Sequence, residues 1–283
     1  MASTRRLCTL LCLLGALTVC PPASADGDKA RYAALEQERF YFLDDGSPGI
    51  LTCQVKADVL DEAIKVIEDY RRSGRLLATM KETTSTFSLS YARDGGVLNV
   101  TRPTLSLSTP DGVALDDSIR QRLSLGQAQM QTSFRRQVEG VVSTLRGVFD
   151  ELSRSRLDKI SQVRVTLTLK GYEASFMTQF GTFNVTVDGS EKRMKMVGLR
   201  GGGMTGTSRY TPLGDQGLAL TSMRSQSAGN AAQGYTLEVT YQRLERLWAP
   251  STITVTPLTT PPKGQGFPGM KISLSGCRLT GTP

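Results

Sequence analysis

The sequence predicts an α+β protein in which a single curved antiparallel sheet of about ten strands, half-barrel-like, packs on one long amphipathic helix and a shorter helix. Over residues 116–160, apolar residues recur at spacings of three and four, which is typical of a helix with one apolar face. Over residues 162–279, apolar and polar residues alternate, as they do in half-buried strands. The connections between these strands are too short for crossover helices, so the strands are expected to pair as antiparallel neighbours.

The first 25 residues have the pattern of a secretory signal peptide. Arg5 and Arg6 precede an apolar run, and residues 23–25 (Ala-Ser-Ala) have the spacing of a cleavage site, so cleavage is expected before Asp26. The protein is therefore expected to be exported, and the periplasm is the expected compartment. Two alternatives stay open: export by the twin-arginine route, and lipidation of Cys20, which would anchor the protein in the outer membrane.

The mature chain, residues 26–283, is predicted to form a single domain. Removing the leader takes away two arginines and no acidic residue, so the formal charge falls from +8 to +6 over 258 residues. Because this basic excess is scattered, it favours contact with an anionic membrane surface over recognition of nucleic acid, which needs a concentrated basic face.

The first half of the mature chain predicts a helix, a hairpin and the long helix in turn. The helix is expected over 58–73, with Asp58 as its N-cap and Gly74 as its C-terminal cap. The hairpin is expected over 84–108, with one apolar face. Pro103 interrupts its return strand, which indicates an edge position or a bulge.

Two cysteines remain in the mature chain, Cys53 near its start and Cys277 near its end. In an oxidising compartment such a pair persists as a disulfide, and this is the favoured interpretation. The alternative is two buried free thiols.

The composition argues against an enzyme. The chain has no histidine, which removes the commonest general base and the commonest metal ligand. Residues 201–206 match G-x-G-x-x-G, but residues 208–212 do not open a helix, so a flexible hairpin loop is expected there and not a nucleotide site. No cofactor or metal is expected, and an enzyme of this composition would need acids or lysines gathered in one cleft.

The C-terminal third resembles a known family. The segments that carry the resemblance are residues 218–223, 235–242, 247–255 and 270–279. Taken in this order along the chain, the four segments are similar to the closing strands of bacterial periplasmic proteins of the outer-membrane lipoprotein carrier type. The resemblance implies an open half-barrel, with helices over its concave side and an acyl chain bound between helices and sheet.

The sequence thus favours a binding or carrier protein for a lipid, an acyl chain or an acylated protein, held between sheet and helix. The alternative is an envelope structural or interaction protein with a filled core and no small ligand. Cavity volume between the sheet and the long helix separates the two. The candidate ligand-lining residues are aliphatic, aromatic and methionine side chains, which suit irregular apolar ligands: Phe134, Val138, Leu145, Phe183, Val185, Met194, Met196, Met223 and Trp248.

Overall fold

The computed structural model describes residues 25–82, 87–178, 181–188, 193–198, 204–227, 230–245, 247–260 and 269–281. The predicted leader lies outside these residues, except for its last position. The first helix, α1, spans Ala25–Arg39 and so begins where the leader is expected to end. No helix in the described part of the chain has the length and apolar character needed to cross a membrane.

The predicted α+β class and antiparallel sheet are confirmed, but in the described part of the chain the main sheet has twelve strands instead of about ten. Its spatial order is β4-β3-β1-β14-β13-β12-β11-β10-β9-β8-β7-β6, and every neighbouring pair is antiparallel. Strands β4 and β6 form the two edges, so the sheet is open. The strands are β1 (Ile50–Ala57), β3 (Ser88–Ala92), β4 (Val97–Thr101), β6 (Ser161–Leu167), β7 (Gly171–Thr178), β8 (Gly181–Asp188), β9 (Arg193–Gly198), β10 (Met204–Pro212), β11 (Leu218–Ser227), β12 (Asn230–Leu244), β13 (Leu247–Pro257) and β14 (Met270–Thr280).

Strands β1 and β14 join the early part of the chain to the late meander. Their register shifts between Thr52 and Gln54, and Cys53 lies at this irregularity. The Sγ atoms of Cys53 and Cys277 lie at bonding distance, with the two Cα atoms 4.1 Å apart. The predicted disulfide is therefore confirmed.

The second helix, α2 (Asp58–Arg72), matches its prediction closely. It begins directly after β1, so its N-cap is Ala57 and not the predicted Asp58. The Asp58 carboxylate instead accepts hydrogen bonds from the main-chain N–H groups of Val59 (2.7 Å) and of Lys271 on β14 (2.8 Å). Gly74, the predicted C-terminal cap, has a φ of +69° and follows the helix end as expected.

The long helix, α3, spans Asp117–Glu151 without a break, so the predicted range of 116–160 is too long at its C-terminal end. Its N-cap is Asp116, whose side chain accepts from the Ser118 N–H at 2.8 Å. After Leu152 a separate short helix, α4, covers Ser155–Asp158. The chain turns there because the buried Asp44 carboxylate accepts from the main-chain N–H of Arg154 at 2.7 Å and competes with helix continuation.

The predicted hairpin is right for its first two strands and wrong for its end. Strands β3 and β4 pair through the turn at residues 93–96, but the chain then leaves the main sheet. Strand β5 (Leu105–Ser108) pairs instead with β2 (Thr79–Glu82) in a separate two-stranded sheet. Pro103 explains the difference, because its ring nitrogen has no hydrogen to donate to a continuing strand.

Helices cover the inner face of the main sheet at two places. Helix α1 packs against β6, and Tyr32 places its ring 6.1 Å from that of Tyr172 on β7. Helix α3 lies over the other end of the sheet, where Phe149 and Tyr91 of β3 have ring centroids 5.3 Å apart. Between these contacts, the inner face of β10–β12 borders an open cleft.

Candidate functional site

A cleft of about 550 Å³ lies between α3 and strands β10–β14. This volume falls within the range of roughly 300–1,000 Å³ that is typical of small-molecule sites. Most of its surface is apolar. Its lining residues come from six elements: Gly140, Ser143, Thr144, Gly147, Val148, Glu151, Ser208, Tyr210, Leu220, Met223, Tyr235, Leu237, Val255 and Met270.

The cleft exists because one side of α3 carries small residues. Gly140, Ser143, Thr144 and Gly147 follow one another at spacings of three, one and three, so they share one helical face. A Cβ added at Gly140 or Gly147 would have no atom within 4 Å beyond the helix's own backbone. Ser143 and Gly147 are exposed, so the cleft opens to solvent along α3.

The neighbouring face of α3 carries large apolar residues and anchors the helix. Leu145 and Val141 are fully buried, and Phe134, Val138 and Val148 are nearly so. Burying a side chain of this size contributes about 1.5–3 kcal/mol each. The helix is therefore held firmly on one face while its adjacent face leaves space.

The floor of the cleft is made by side chains that alternate along the strands. Leu237 of β12, Val255 of β13 and Met270 of β14 are buried there. Met223 and Tyr235 are half-buried and lie at the rim. Met223 and Met270 are flexible and polarisable, which suits a surface that must adapt to an irregular apolar ligand.

A buried polar network forms one end of the cleft. Tyr210 donates a hydrogen bond to Glu151 Oε1 at 2.8 Å, and Arg156 Nη1 lies 2.6 Å from the same oxygen. Arg156 Nη2 donates to Glu36 Oε2 at 2.7 Å, and the hydroxyl of Tyr172 donates to Glu36 Oε1. The carboxylates of Glu151 and Glu36 thus share the guanidinium of Arg156.

Burial controls the protonation of this network. Glu36 is 1 % exposed, and desolvation raises the pKa of its carboxyl even though Arg156 opposes the shift. Burial likewise raises the pKa of Tyr210 well above its ordinary value, and the Glu151 carboxylate adds to this effect. Tyr210 therefore remains a neutral donor at any physiological pH.

The segment between α1 and β1 packs at the same end of the cleft. Phe40 meets the ring of Tyr210 edge-on, with centroids 4.9 Å apart. The hydroxyl of Tyr41 donates to the carbonyl of Trp248 at 2.8 Å and accepts from the Trp248 N–H at 3.1 Å. Gly217 permits the close approach, because a Cβ there would lie 3.0 Å from the Phe40 carbonyl carbon.

Of the predicted ligand-lining residues, Met223 lies in the cleft. Phe134, Val138 and Leu145 lie on the anchoring face of α3, in the buried core.

The other predicted residues lie on neighbouring strands. Val185 of β8 is buried, and Phe183 stacks on Phe176 with centroids 6.1 Å apart. Trp248 is half-buried on β13, held through its main chain. Met194 and Met196 pair with Ser208 and Gly206 of β10, and their side chains lie outside the description.

Sequence reasoning missed the residues that make the cleft open and those that make its polar end. The signal for the first was present in the spacing of Gly140, Ser143, Thr144 and Gly147 along a helix that is otherwise rich in large residues. The polar end gave no comparable signal, because Glu36 and Glu151 are far apart in the sequence and meet only through Arg156.

In comparisons with known proteins, no family model, no curated protein and no solved structure matches the chain.

Proposed function

We propose that this protein is an exported binding or carrier protein that holds a lipid, an acyl chain or an acylated protein in the cleft between α3 and a half-barrel-like sheet. The observation that carries the proposal is the cleft of about 550 Å³ with its apolar floor. Burying a methylene group contributes about 0.8 kcal/mol, so a single alkyl chain along this floor would provide most of the binding free energy.

The cleft favours this function over a protein with a filled core. A helix that served only to cover the sheet would gain stability from large residues along its whole inner side. Here the side of α3 that borders the cleft carries Gly140 and Gly147, although a glycine in a helix interior costs roughly 0.5–1 kcal/mol relative to alanine. Ligand binding gives a reason for space that folding alone does not require.

The disulfide supports the exported location. Disulfides persist in oxidising compartments and are rare in the reducing cytosol. The Cys53–Cys277 bond joins the first strand of the main sheet to the last, so the fold depends on a linkage that an exported chain keeps.

Native mass spectrometry of protein purified after export tests the proposal directly. A co-purifying amphiphile, released by organic extraction, supports a carrier. A mass for residues 26–283 less two hydrogens would establish both the cleavage site and the disulfide. A protein that stays empty after incubation with amphiphiles of several chain lengths would contradict the proposal and favour the structural alternative.

A pair of leucine substitutions locates the binding to the cleft. Gly147→Leu projects an isobutyl group into the cleft and is expected to weaken amphiphile binding at least tenfold. Gly126→Leu is the matched control, because Gly126 is also a glycine within α3 whose Cβ would meet nothing within 4 Å, but it does not line the cleft. Both changes gain about 0.8 kcal/mol of helix propensity. Equal effects on binding would place the ligand elsewhere.

The N-terminal part of α3 also favours contact with an anionic membrane. Ile119 and Leu125 are 49 % and 57 % exposed, and the neighbouring Arg120 and Arg122 are exposed as well. Exposed apolar and basic side chains together suit the interface of an anionic bilayer. Co-sedimentation with anionic vesicles but not with neutral ones, reduced by Arg120→Glu and Arg122→Glu together, is the expected result; equal binding to both vesicle types would contradict it.

A further inference from the structure

The polar end of the cleft carries a single charged side chain. Among the described residues that line the cleft, Glu151 alone is an acidic or basic residue, and the others are apolar, small or hydroxyl-bearing. A bound amphiphile that lies along the apolar floor would direct its polar group toward this residue or toward solvent. The groups around Glu151 therefore determine which polar groups fit.

The two donors in contact with Glu151, Arg156 and Tyr210, are already engaged. Arg156 directs one terminal nitrogen to Glu151 and the other to Glu36, at 2.6 and 2.7 Å. Its Nε is buried and has no hydrogen-bond partner among the described residues, so a ligand in the cleft does not reach it without displacing its surroundings. The Tyr210 hydroxyl gives its hydrogen to Glu151.

Two other arginine side chains near the polar end of the cleft contact aromatic rings. The guanidinium of Arg154 lies 5.9 Å from the ring centroid of Phe42, and that of Arg39 lies 5.7 Å from the ring centroid of Tyr172. Neither Arg154 nor Arg39 lines the cleft.

One hydrogen-bond acceptor, Glu151 Oε2, remains available to a ligand at the polar end of the cleft. Both contacts that the described residues make with the Glu151 carboxylate end on Oε1, which leaves Oε2 to a ligand. A carboxylate, phosphate or sulfate would meet the negative charge of this oxygen, since Arg156, the cation in contact with Glu151, is already shared with Glu36, and it would lose its hydration as well. A hydroxyl, amide or ammonium group would donate to Oε2 and form a charge-assisted hydrogen bond.

We propose that the cleft selects amphiphiles whose polar end donates hydrogen bonds and bears no negative charge, such as alcohols, acylglycerols, amides or amines, and rejects free fatty acids. This inference rests on the proposed function, since it specifies the ligand class of the same cleft. Glu151 is the residue that determines the selectivity.

Competition among ligands of one chain length tests the selectivity. The neutral fluorophore N-phenyl-1-naphthylamine serves as the probe, displaced at about pH 7.5 by dodecanol, dodecylamine or dodecanoate below their micellar concentrations. Dodecanol and dodecylamine are expected to bind at least tenfold more tightly than dodecanoate, a difference of about 1.4 kcal/mol or more. Equal or tighter binding of dodecanoate would overturn the inference, while failure of all three ligands and the probe to bind would count against the proposed function instead.

Substitution assigns the effect to Glu151. Glu151→Gln keeps the shape of the side chain and supplies an N–H donor, so the preference against dodecanoate is expected to fall to threefold or less. Glu139→Gln is the matched control, since Glu139 is also a glutamate of α3 but pairs with Arg102 at 2.6 Å and does not line the cleft, and it should leave the preference intact. An unchanged preference in folded Glu151→Gln would refute the role of Glu151. If that variant lacks a cooperative thermal transition, the ranking of the three ligands on the unmodified protein decides the selectivity itself.

Discussion

Replacing both disulfide cysteines with alanine should cost the protein a large part of its stability. The bond closes a loop with a sequence separation of 224 residues. In the chain-entropy model, opening a loop of this length in the unfolded state costs the native state about 5 kcal/mol of relative stability. Since single domains are stable by roughly 5–15 kcal/mol, the Cys53→Ala, Cys277→Ala variant should remain folded only marginally.

Urea unfolding followed by tryptophan fluorescence measures this loss. The chain has one tryptophan, Trp248, which is half-buried and hydrogen-bonded through its main chain to Tyr41. With an m-value of roughly 2–3 kcal/mol/M, a loss of about 5 kcal/mol lowers the unfolding midpoint by about 2 M. A reducing agent should lower the midpoint of the unmodified protein equally and leave that of the double variant unchanged. A shift below about 0.5 M in both experiments would refute the entropic reasoning.

Three further predictions concern buried groups near the end of α3. Because burial raises the folded-state pKa of Glu36 above its ordinary value of 4.5, the folded chain holds a proton that the unfolded chain releases. The unfolding free energy should therefore fall as pH rises from 4.5 through the raised pKa, by up to about 1.4 kcal/mol per pH unit. Glu36→Gln should abolish this slope, and an identical slope in the variant would contradict the assignment. Asp44→Ala should destabilise by about 2–3 kcal/mol in thermal or urea unfolding, because the buried carboxylate accepts from Ser153 Oγ at 2.6 Å and from the main chain before α4; a loss below about 0.5 kcal/mol would argue against these bonds. Gly96→Ala should cost about 2 kcal/mol or more, because φ is +62° and a Cβ would lie 2.6 Å from Asp44 Oδ2, whereas Gly95→Ala, with its nearest contact at 3.7 Å, should be nearly neutral; equal costs would show that the turn does not press on the carboxylate.

The parts of the fold that follow local periodicity could be predicted from the sequence. Helix α2 and most of α3 have regular apolar spacing, and strands β6, β8 and β11–β14 alternate clearly. The end of α3 could not be predicted, because Asp44, distant in sequence, binds the main chain where the helix stops. The partner strand of β5 could not be predicted either, because its pairing with β2 depends on tertiary packing and not on a local sequence pattern.

The strand beside the cleft was missed for a reason connected with its position there. Strand β10 turns Gly206, Ser208 and Tyr210 toward the interior, so only one of these three inward positions has the large residue that marks a strand. A pattern of alternating hydrophobicity detects packed surfaces, and it does not detect a surface that borders open space. For the same reason, the predicted lining residues on α3 proved to be the ones that pack, while the small residues beside them line the cleft.

The position of β14 has a consequence for the order in which the chain is made. This strand is synthesised after the other described strands, yet it lies in the interior of the sheet, between β13 and β1. Until residues 270–280 emerge from the ribosome, both neighbours present unpaired edges and the early strands have no place in the late meander. We therefore expect the early strands of an incomplete nascent chain to stay separate from the late meander until β14 is available to join them.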